Sequence, residues 1–364
     1  MGLERVGVAA LLGEEYRLLH DAALRFLRER RAIAPEANPA SAQAITREMA
    51  RFGWLDVFAN DAGATYAAAI VEAAGRAGVL VPFVAAVVAG VLLRAAGVRD
   101  VLDDLAAGRV LVVPAIESAF PNAVALDRNG RASGRLHAVE HVLAADTVLC
   151  PVDDGQHLAL VEIRTGGSRL VPVPSAGGEY RGDVVLEDAV ARLLPLPREA
   201  LAHARLMGAV LRATELAGIG RAGLDLAIEY ARRRVQFGRP IGSFQAVHHH
   251  AADMTRELVA VCLLAASAVQ RLEKGENAAI AAHMAKAKAA AAIPVLLRLA
   301  HQITGGAGFY EEYPLAGYYR RAIDLAASYG TAAEHRRTLA ELARMHPAAL
   351  RHGGGHPFPP VIAL

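Results

Sequence analysis

The sequence predicts an α+β chain: an N-terminal set of helices, a middle β domain folded as a small barrel or sandwich, and a C-terminal helical bundle. Three observations predict it. From Leu11 to about Leu105 apolar residues recur every three or four positions. Between Val110 and about Leu196 they fall instead in short Val-rich runs bounded by Gly, Asp and Ser. From Arg198 to about Ala343 the helical spacing returns, in runs of about 25 to 35 residues.

Taken in order, the first part (1–108) carries "EEYRLLHDAALRFLRERR", "SAQAITREMARFGWLDVFA", "TYAAAIVEAAGRAG" and "VPFVAAVVAGVLLRAAG", punctuated by Gly and Pro. In the middle part (109–196), "RVLVVPAIES", "TVLCPV", "HLALVEI" and "RLVPVPS" have the length and Val content of strands. The third part (197–345) holds "EALAHARLMGAVLRATELAGIGRAGLDLAIEYARRR", "SFQAVHHHAADMTRELVAVCLLAASAVQRLEKG" and "ENAAIAAHMAKAKAAAAIPVLLRLAHQITG". Short polar or Gly-rich breaks between such long runs suit antiparallel neighbours in a bundle. The tail, 346–364, is too rich in Pro and Gly to continue a helix.

Composition narrows the function. The 364 residues are 54% hydrophobic and 21% charged, so the chain reads as a globular protein with a large interior. A net charge of +2 lacks the dense positive field of a nucleic-acid binder. Cys150 and Cys262 are far apart, with neither a disulfide framework nor a zinc spacing. The N-terminus lacks signal-peptide architecture, and the longest apolar stretch contains Pro82 and Arg94, so a buried helix is expected rather than a membrane span. The expected location is the cytoplasm.

Three constellations carry candidate chemistry. The first is "ARRRVQFGRPIGSFQAVHHH", Ala231 to His250. Three successive arginines ending a helix point in different directions, so only one or two share a target, and cations there are favourable in any case. Helix geometry also keeps His248, His249 and His250 from converging on one ion, so no metal site is expected. What it does not explain is the stiff Gly-Arg-Pro-Ile-Gly link beside Phe237, Arg239 and Gln245. An arginine next to an aromatic ring and a carboxamide suits a pyrophosphate joined to a flat ring. The second is "HQITGGAGFYEEYPLAGYYRRA", in which Gly305, Gly306 and Gly308 admit close backbone approach and Gln302 offers a planar donor and acceptor. The third is "DLAASYGTAAEHRR", where Gly330 and Thr331 precede a new helix near Ala332; alone, Thr331 is a helix cap.

Together these stretches resemble the acyl-CoA dehydrogenase family. "YARRRVQFGRPIGSFQAVHHHAADM" is similar to its C-terminal signature, "QITGGAGFYEEYPLAGYYRRA" to its second signature, and "YGT" followed by an arginine to the loop that usually carries the catalytic base. Fainter likenesses lie in "RFGWLDV" and "ASGRLHAVEHVLAAD". The resemblance implies helices, a β-barrel and a four-helix bundle, with FAD as cofactor and an acyl-CoA thioester as substrate. It further implies an electron-transferring flavoprotein or similar acceptor, and an oligomer of like or homologous subunits. It implies that Arg234 contacts the FAD pyrophosphate of a neighbouring subunit, that Phe237 and Gln245 line the adenosine diphosphate site, and that Gln302, Gly305 and Gly306, with Thr331, also hold cofactor. In the family a glutamate removes the α proton of the thioester while hydride passes to the flavin.

This chain departs from that pattern. Tyr329 stands where the glutamate precedes Gly-Thr. The alternative base position falls near Gly208, and the arginine expected beside it falls on Ala209. The aromatic and hydroxyl residues that flank the flavin ring fall near Ala138 and Glu140, and "VVPAIES" is a loose version of the flavin-contacting loop. A tyrosine with an ordinary pKa near 10 is a poor base for a thioester. Glu215 and Glu334 are the candidate substitutes, both expected to face solvent. Three readings are open: a non-catalytic subunit that shares cofactor with a catalytic partner, in fatty acid or steroid side-chain metabolism; an active dehydrogenase with a relocated base; and a flavin-dependent monooxygenase of the same fold. The first is favoured, because it explains why cofactor contacts made across an interface persist while those made within the chain are lost.

Overall fold

The computed structural model describes residues 6–33, 38–57, 63–117, 123–152, 155–276 and 278–345; the tail at 346–364 lies outside them. Six helices come first: α1 (Val8–Leu12), α2 (Glu14–Ile33), α3 (Pro39–Arg51), α4 (Gly63–Ala77), α5 (Phe83–Ala95) and α6 (Arg99–Ala106). The start of α3 is fixed locally: Asn38 and Ser41 cap each other reciprocally and Pro39 occupies the first turn. The long apolar stretch resolves into α5, only 13 residues long and entered through Pro82.

Seven strands follow: β1 (Val112–Pro114), β2 (Ala123–Leu126), β3 (Arg131–Val139), β4 (Thr147–Val152), β5 (His157–Glu162), β6 (Ser168–Pro172) and β7 (Gly182–Pro195). They form one mixed sheet in the order β1-β4-β5-β7-β3-β2, with β6 also paired to β7. Only β1 and β4 run parallel, Val113 opposite Val148. Strand β7 organises the rest: β3 pairs along one side, while β6 and β5 pair with successive stretches of the other. The hydrogen-bonded path ends at β1 and at β2, so the middle unit is an open sheet and not the closed barrel the sequence suggested. A register shift between Leu136 and Val139 in β3 bends the strand end that leads into Glu140.

The helical remainder is α7 (Ala200–Arg233), a short ribbon of β8 (Val235–Gln236) and β9 (Arg239–Pro240), then α8 (Gln245–Glu273), α9 (Ala279–Thr304), α10 (Leu315–Ala327) and α11 (Ala332–Met345). Helix α9, continued to Phe309, is long and apolar enough to cross a membrane, but it packs against α7, α8, α10 and α11. Small residues let α4 lie directly on α7: a Cβ at Gly218 would fall 2.9 Å from Arg76 N, and one at Gly75 3.1 Å from the Glu215 carbonyl carbon. The N-terminal helices and the bundle consequently share one apolar core, while the sheet keeps a smaller one of its own.

Candidate functional site

Arg234 ends α7 in extended conformation, its N–H bonded to the Tyr230 carbonyl at 2.8 Å and its side chain exposed. The chain then doubles back through β8 and β9 with Phe237 and Gly238 at the tip, at φ 53° and 77°. Two consecutive positive φ angles are those of a tight hairpin turn, which glycine accepts freely and phenylalanine does not. The Phe237 ring is 92% exposed at that tip, a placement that sacrifices both backbone comfort and apolar burial. Behind it the Arg239 guanidinium lies 4.4 Å above the Phe244 ring, bracing the turn. Gln245 opens α8, exposed. Arg233 is occupied by Glu229 at 2.8 Å. His248 and His249 are exposed, and no group of metal-ligating side chains is found among the described residues.

A second exposed patch lies at the end of α9. Gln302 points outward, and Gly305 and Gly306 are exposed with nothing within 4 Å of where a Cβ would stand. The neighbouring His301 is buried, its Nδ1 donating to the Leu297 carbonyl at 2.8 Å, so it anchors the turn that presents these residues. The structure thus gives two open, polar, backbone-accessible patches carrying six of the seven predicted cofactor contacts. Thr331 sits elsewhere: its hydroxyl donates to Glu334 at 2.8 Å and accepts from the Glu334 N–H at 3.3 Å, a capping box for α11.

The interior is different. Tyr329, at φ 54°, turns its ring into the protein between α10 and α11, where it is buried against Gly208 of α7. A methyl group at 208 would stand 2.5 Å from the ring Cδ1 and Cζ, so the two positions that the resemblance marks for a base lie face to face and the tyrosine ring fills the space over the glycine. The loop is tightly held. Lys286 of α9 donates to the Ala326 and Gly330 carbonyls at 3.0 and 2.8 Å, and His335 Nε2 donates to the Tyr329 carbonyl at 3.0 Å. That bond fixes the tautomer: His335 Nδ1 is left to accept from His283 Nδ1 at 2.7 Å. Burial, then the Arg212 charge, lowers Lys286 to about 7. Burial, then nearby Glu117 and Glu140, pushes the Tyr329 hydroxyl well above its ordinary value, so the environment tunes it away from acting as a base.

Beside Tyr329 lies a closed ring of buried ion pairs. Glu140 pairs with Arg212; Arg212 with Glu215; Glu215 with Arg321 at 2.7 Å; Arg321 with Glu179; Glu179 with Arg181; and Arg181 returns to Glu140 at 2.7 Å. Against burial, which opposes ionisation, Arg212 and Arg181 hold Glu140 below the usual carboxylate range, and Arg321 and Arg212 do the same for Glu215. Glu215 is therefore not the solvent-facing residue the helical pattern suggested; it is 4% exposed, with both oxygens committed to arginines. Glu334 is exposed as expected. Glu117 joins from the sheet side: its carboxylate accepts from the Glu140 N–H at 2.7 Å and its carbonyl from the Tyr329 N–H at 3.3 Å. Burial, then the Glu140 charge, raises Glu117 to about 7. Three non-glycine residues in left-handed backbone, Ala138, His141 and Tyr329, belong to these same loops.

The two halves of a flavin dinucleotide meet opposite receptions here. The exposed patches suit phosphates and a nucleotide, with a guanidinium, carboxamides, an aromatic ring and backbone unshielded by Cβ. At Ala138 and Glu140, where the resemblance sets the flavin ring, Glu140 is buried between Arg212 and Arg181, surroundings that suit a charged network and not an uncharged tricycle. Sequence reasoning missed this network because its members come from four distant segments. One signal was available: Arg212 and Glu215, spaced i, i+3 within the otherwise apolar run "GAVLRATELAGIG", could be tolerated only as a buried pair.

The sequence profile of the acyl-CoA dehydrogenase C-terminal domain matches residues 194–343. The chain is 37% identical over 125 residues to a 3-(aryl)acrylate reductase of Clostridium sporogenes, which is 34% of this chain and 33% of that protein. It is 29% identical over 320 residues to acyl-CoA dehydrogenase FadE34 of Mycobacterium tuberculosis, 81% of this chain and 44% of that protein. Both matches span less than half of the relative's own length. Among solved structures, a variant of the Tcur3481-Tcur3483 steroid ACAD superposes with a TM-score of 0.82 at 25% identity, covering 93% of this chain and 99% of that one. The ChsE4-ChsE5 complex from Mycobacterium tuberculosis gives a TM-score of 0.77 at 23% identity, covering 92% and 97%. With helices, open sheet and bundle in this order, the chain has the fold of the acyl-CoA dehydrogenases, and residues 194–343 match that family's C-terminal domain.

Proposed function

We propose that this chain is a non-catalytic subunit of a heteromeric acyl-CoA dehydrogenase, lending cofactor contacts to a partner that carries the base. The observation that carries the reading is the Tyr329 ring seated on Gly208, which leaves neither base position with a carboxylate and fills the space between them. The exposed set Arg234, Phe237, Gln245, Gln302, Gly305 and Gly306 supports the complementary half. Exposed residues of these types are disposed to bind outward. Two of the structural neighbours are named as pairs of chains, Tcur3481-Tcur3483 and ChsE4-ChsE5, which favours a heteromeric assembly.

The group held would be FAD, which when bound supplies the hydride acceptor for α,β-dehydrogenation of an acyl thioester. Arg234 would neutralise pyrophosphate charge, Phe237 and Gln245 would line the adenosine side, and Gln302 with the glycine turn would fix the dinucleotide across the interface. A relocated base within this chain is disfavoured, because Glu215 is ionised but sequestered by two guanidiniums and Glu334 caps a helix. The test is anaerobic: the chain purified alone is mixed with FAD and acyl thioesters of several lengths while flavin absorbance is followed. No bleaching is expected, whereas stoichiometric bleaching would overturn the reading.

A further inference from the structure

The six-membered ionic ring has a topology that local stability does not require. Its members alternate around a closed circuit, three carboxylates and three guanidiniums, and it is neutral as a unit when Glu179, which burial and then the Glu140 charge raise to about 7, is ionised. Three of them, Glu140, Glu179 and Arg181, stand on segments flanking β3 and β7; the other three, Arg212, Glu215 and Arg321, stand on α7 and α10. The circuit crosses between sheet and bundle twice, at Glu140–Arg212 and at Arg321–Glu179. Glu117 adds a third crossing through its bond from the Tyr329 N–H. Five of the six ring residues are at most 6% exposed. The cavity beside them, lined among others by Gly177, Glu215, Tyr318 and Arg321, measures about 110 Å³, well under the roughly 300 Å³ at which ligand pockets begin.

We infer that this ring is an interdomain latch, which fills the cleft between the sheet and the bundle with the chain's own side chains and seals it against the isoalloxazine ring of a flavin. The inference uses the family reading only to place the flavin ring in that cleft. The latch replaces a cofactor as the material that holds the two units together. An isolated buried ion would be costly, and a circuit in which every carboxylate meets two guanidiniums offsets part of that cost, with Glu179 Oε2 and Arg212 Nε left without a hydrogen bond. It also makes the closure cooperative, since removing one member leaves an unbalanced charge in the interior. The same closure would keep a thioester out of this chain while the exposed cofactor contacts face the partner.

Hydrogen exchange on the purified full chain, with and without excess FAD, tests it. Amides at 138–141, 179–182, 210–216 and 319–323 are expected to be strongly protected without FAD and to change less than about twofold when it is added. Fast exchange without FAD, followed by protection of more than about tenfold with it, would overturn the latch. The double variant Glu140→Ala with Arg212→Ala leaves two carboxylates and two guanidiniums, still balanced. It should speed exchange in those segments by more than about tenfold while the far-ultraviolet dichroism is retained. Unchanged exchange in a folded double variant would equally overturn the proposal; if that variant does not fold, the wild-type comparison decides. The cofactor-sharing reading is scored separately in the same data, at 234–245 and 302–306. Loss of FAD protection there would count against that reading and leave the latch standing.

Discussion

Gly208 lies under the ring of Tyr329, so closely that the smallest possible side chain at 208 would overlap the ring carbons at 2.5 Å. The resemblance sets these two residues at alternative base positions, and each makes the other's present form necessary. A glycine leaves room for the ring, and the ring leaves no room for anything larger than a glycine.

Gly208→Ala should therefore destabilise the chain by about 1–3 kcal/mol through overpacking, despite the better helix propensity of alanine. Introduced into a Tyr329→Ala background, the same change should become neutral or stabilising by up to about 1 kcal/mol, because only the propensity gain is left. Denaturant midpoints of the four proteins measure the difference. Additive effects would show that the ring and the glycine are not in contact.

The Glu140–Arg212 pair should show strong coupling. Each single alanine variant strands a buried charge in a circuit that was balanced, an error costing about 3–5 kcal/mol. The double variant should cost less than the sum of the singles by at least about 1 kcal/mol. A double-mutant cycle by equilibrium unfolding gives the value directly, and a coupling near zero would mean that the two residues do not pair.

A pH dependence follows from His335. Burial, then the charge of Lys286, then His283, lowers its pKa to about 4 in the folded chain. Between the ordinary histidine value near 6.5 and about 4 the unfolded chain binds the extra proton. Stability should accordingly fall as pH drops through that window, with the full contribution present above it. Glu117, raised to about 7, acts in the opposite sense, favouring the folded chain at low pH and losing that contribution as pH rises through about 7. Comparing wild type with His335→Gln isolates the histidine: relative to wild type, the variant should gain stability as pH falls from 6.5 to 4. Identical slopes would remove His335 from the account of acid sensitivity.

Phe237 offers a prediction in which stability and binding move in opposite directions. Its backbone is left-handed and it is 92% exposed, with an edge-on approach to Phe244 at 6.1 Å between ring centroids. Phe237→Gly should raise the stability of the isolated chain by about 1 kcal/mol through release of strain. In complex with a catalytic partner it should weaken flavin retention, since the ring is removed. Thermal melts and flavin absorbance of the two preparations measure both effects.

Much of this was legible in the sequence, and the limits have physical causes. Helical periodicity marked α7, α8 and α9, because a residue three or four positions away shares a face regardless of what the rest of the chain does. Helix geometry limited the three arginines to one or two with a shared target and the resemblance singled out Arg234; the structure leaves it exposed at the end of α7, with Arg233 paired to Glu229. Strand positions were readable from Val-rich runs, but whether β1 and β2 join to close a barrel depends on pairing across the whole segment, which no local pattern encodes. Glu215 was misread for a similar reason: its partner Arg321 is 106 residues away. Tyr329 in place of the expected glutamate was visible as a letter; that its ring would occupy the space over Gly208 required the fold.

The most direct test of cofactor sharing is the flavin content of a complex between this chain and a family member that carries the base-loop glutamate, purified with wild-type chain and with Arg234→Ala. Arg234 is exposed and bonds to nothing else in its own chain through its side chain among the described residues, so the isolated variant should fold with stability within about 0.5 kcal/mol of wild type. Loss of a charge-assisted contact of about 1.5–3 kcal/mol should weaken FAD retention by the complex at least tenfold. Unchanged flavin content in the Arg234→Ala complex would contradict the claim that this chain holds its partner's cofactor.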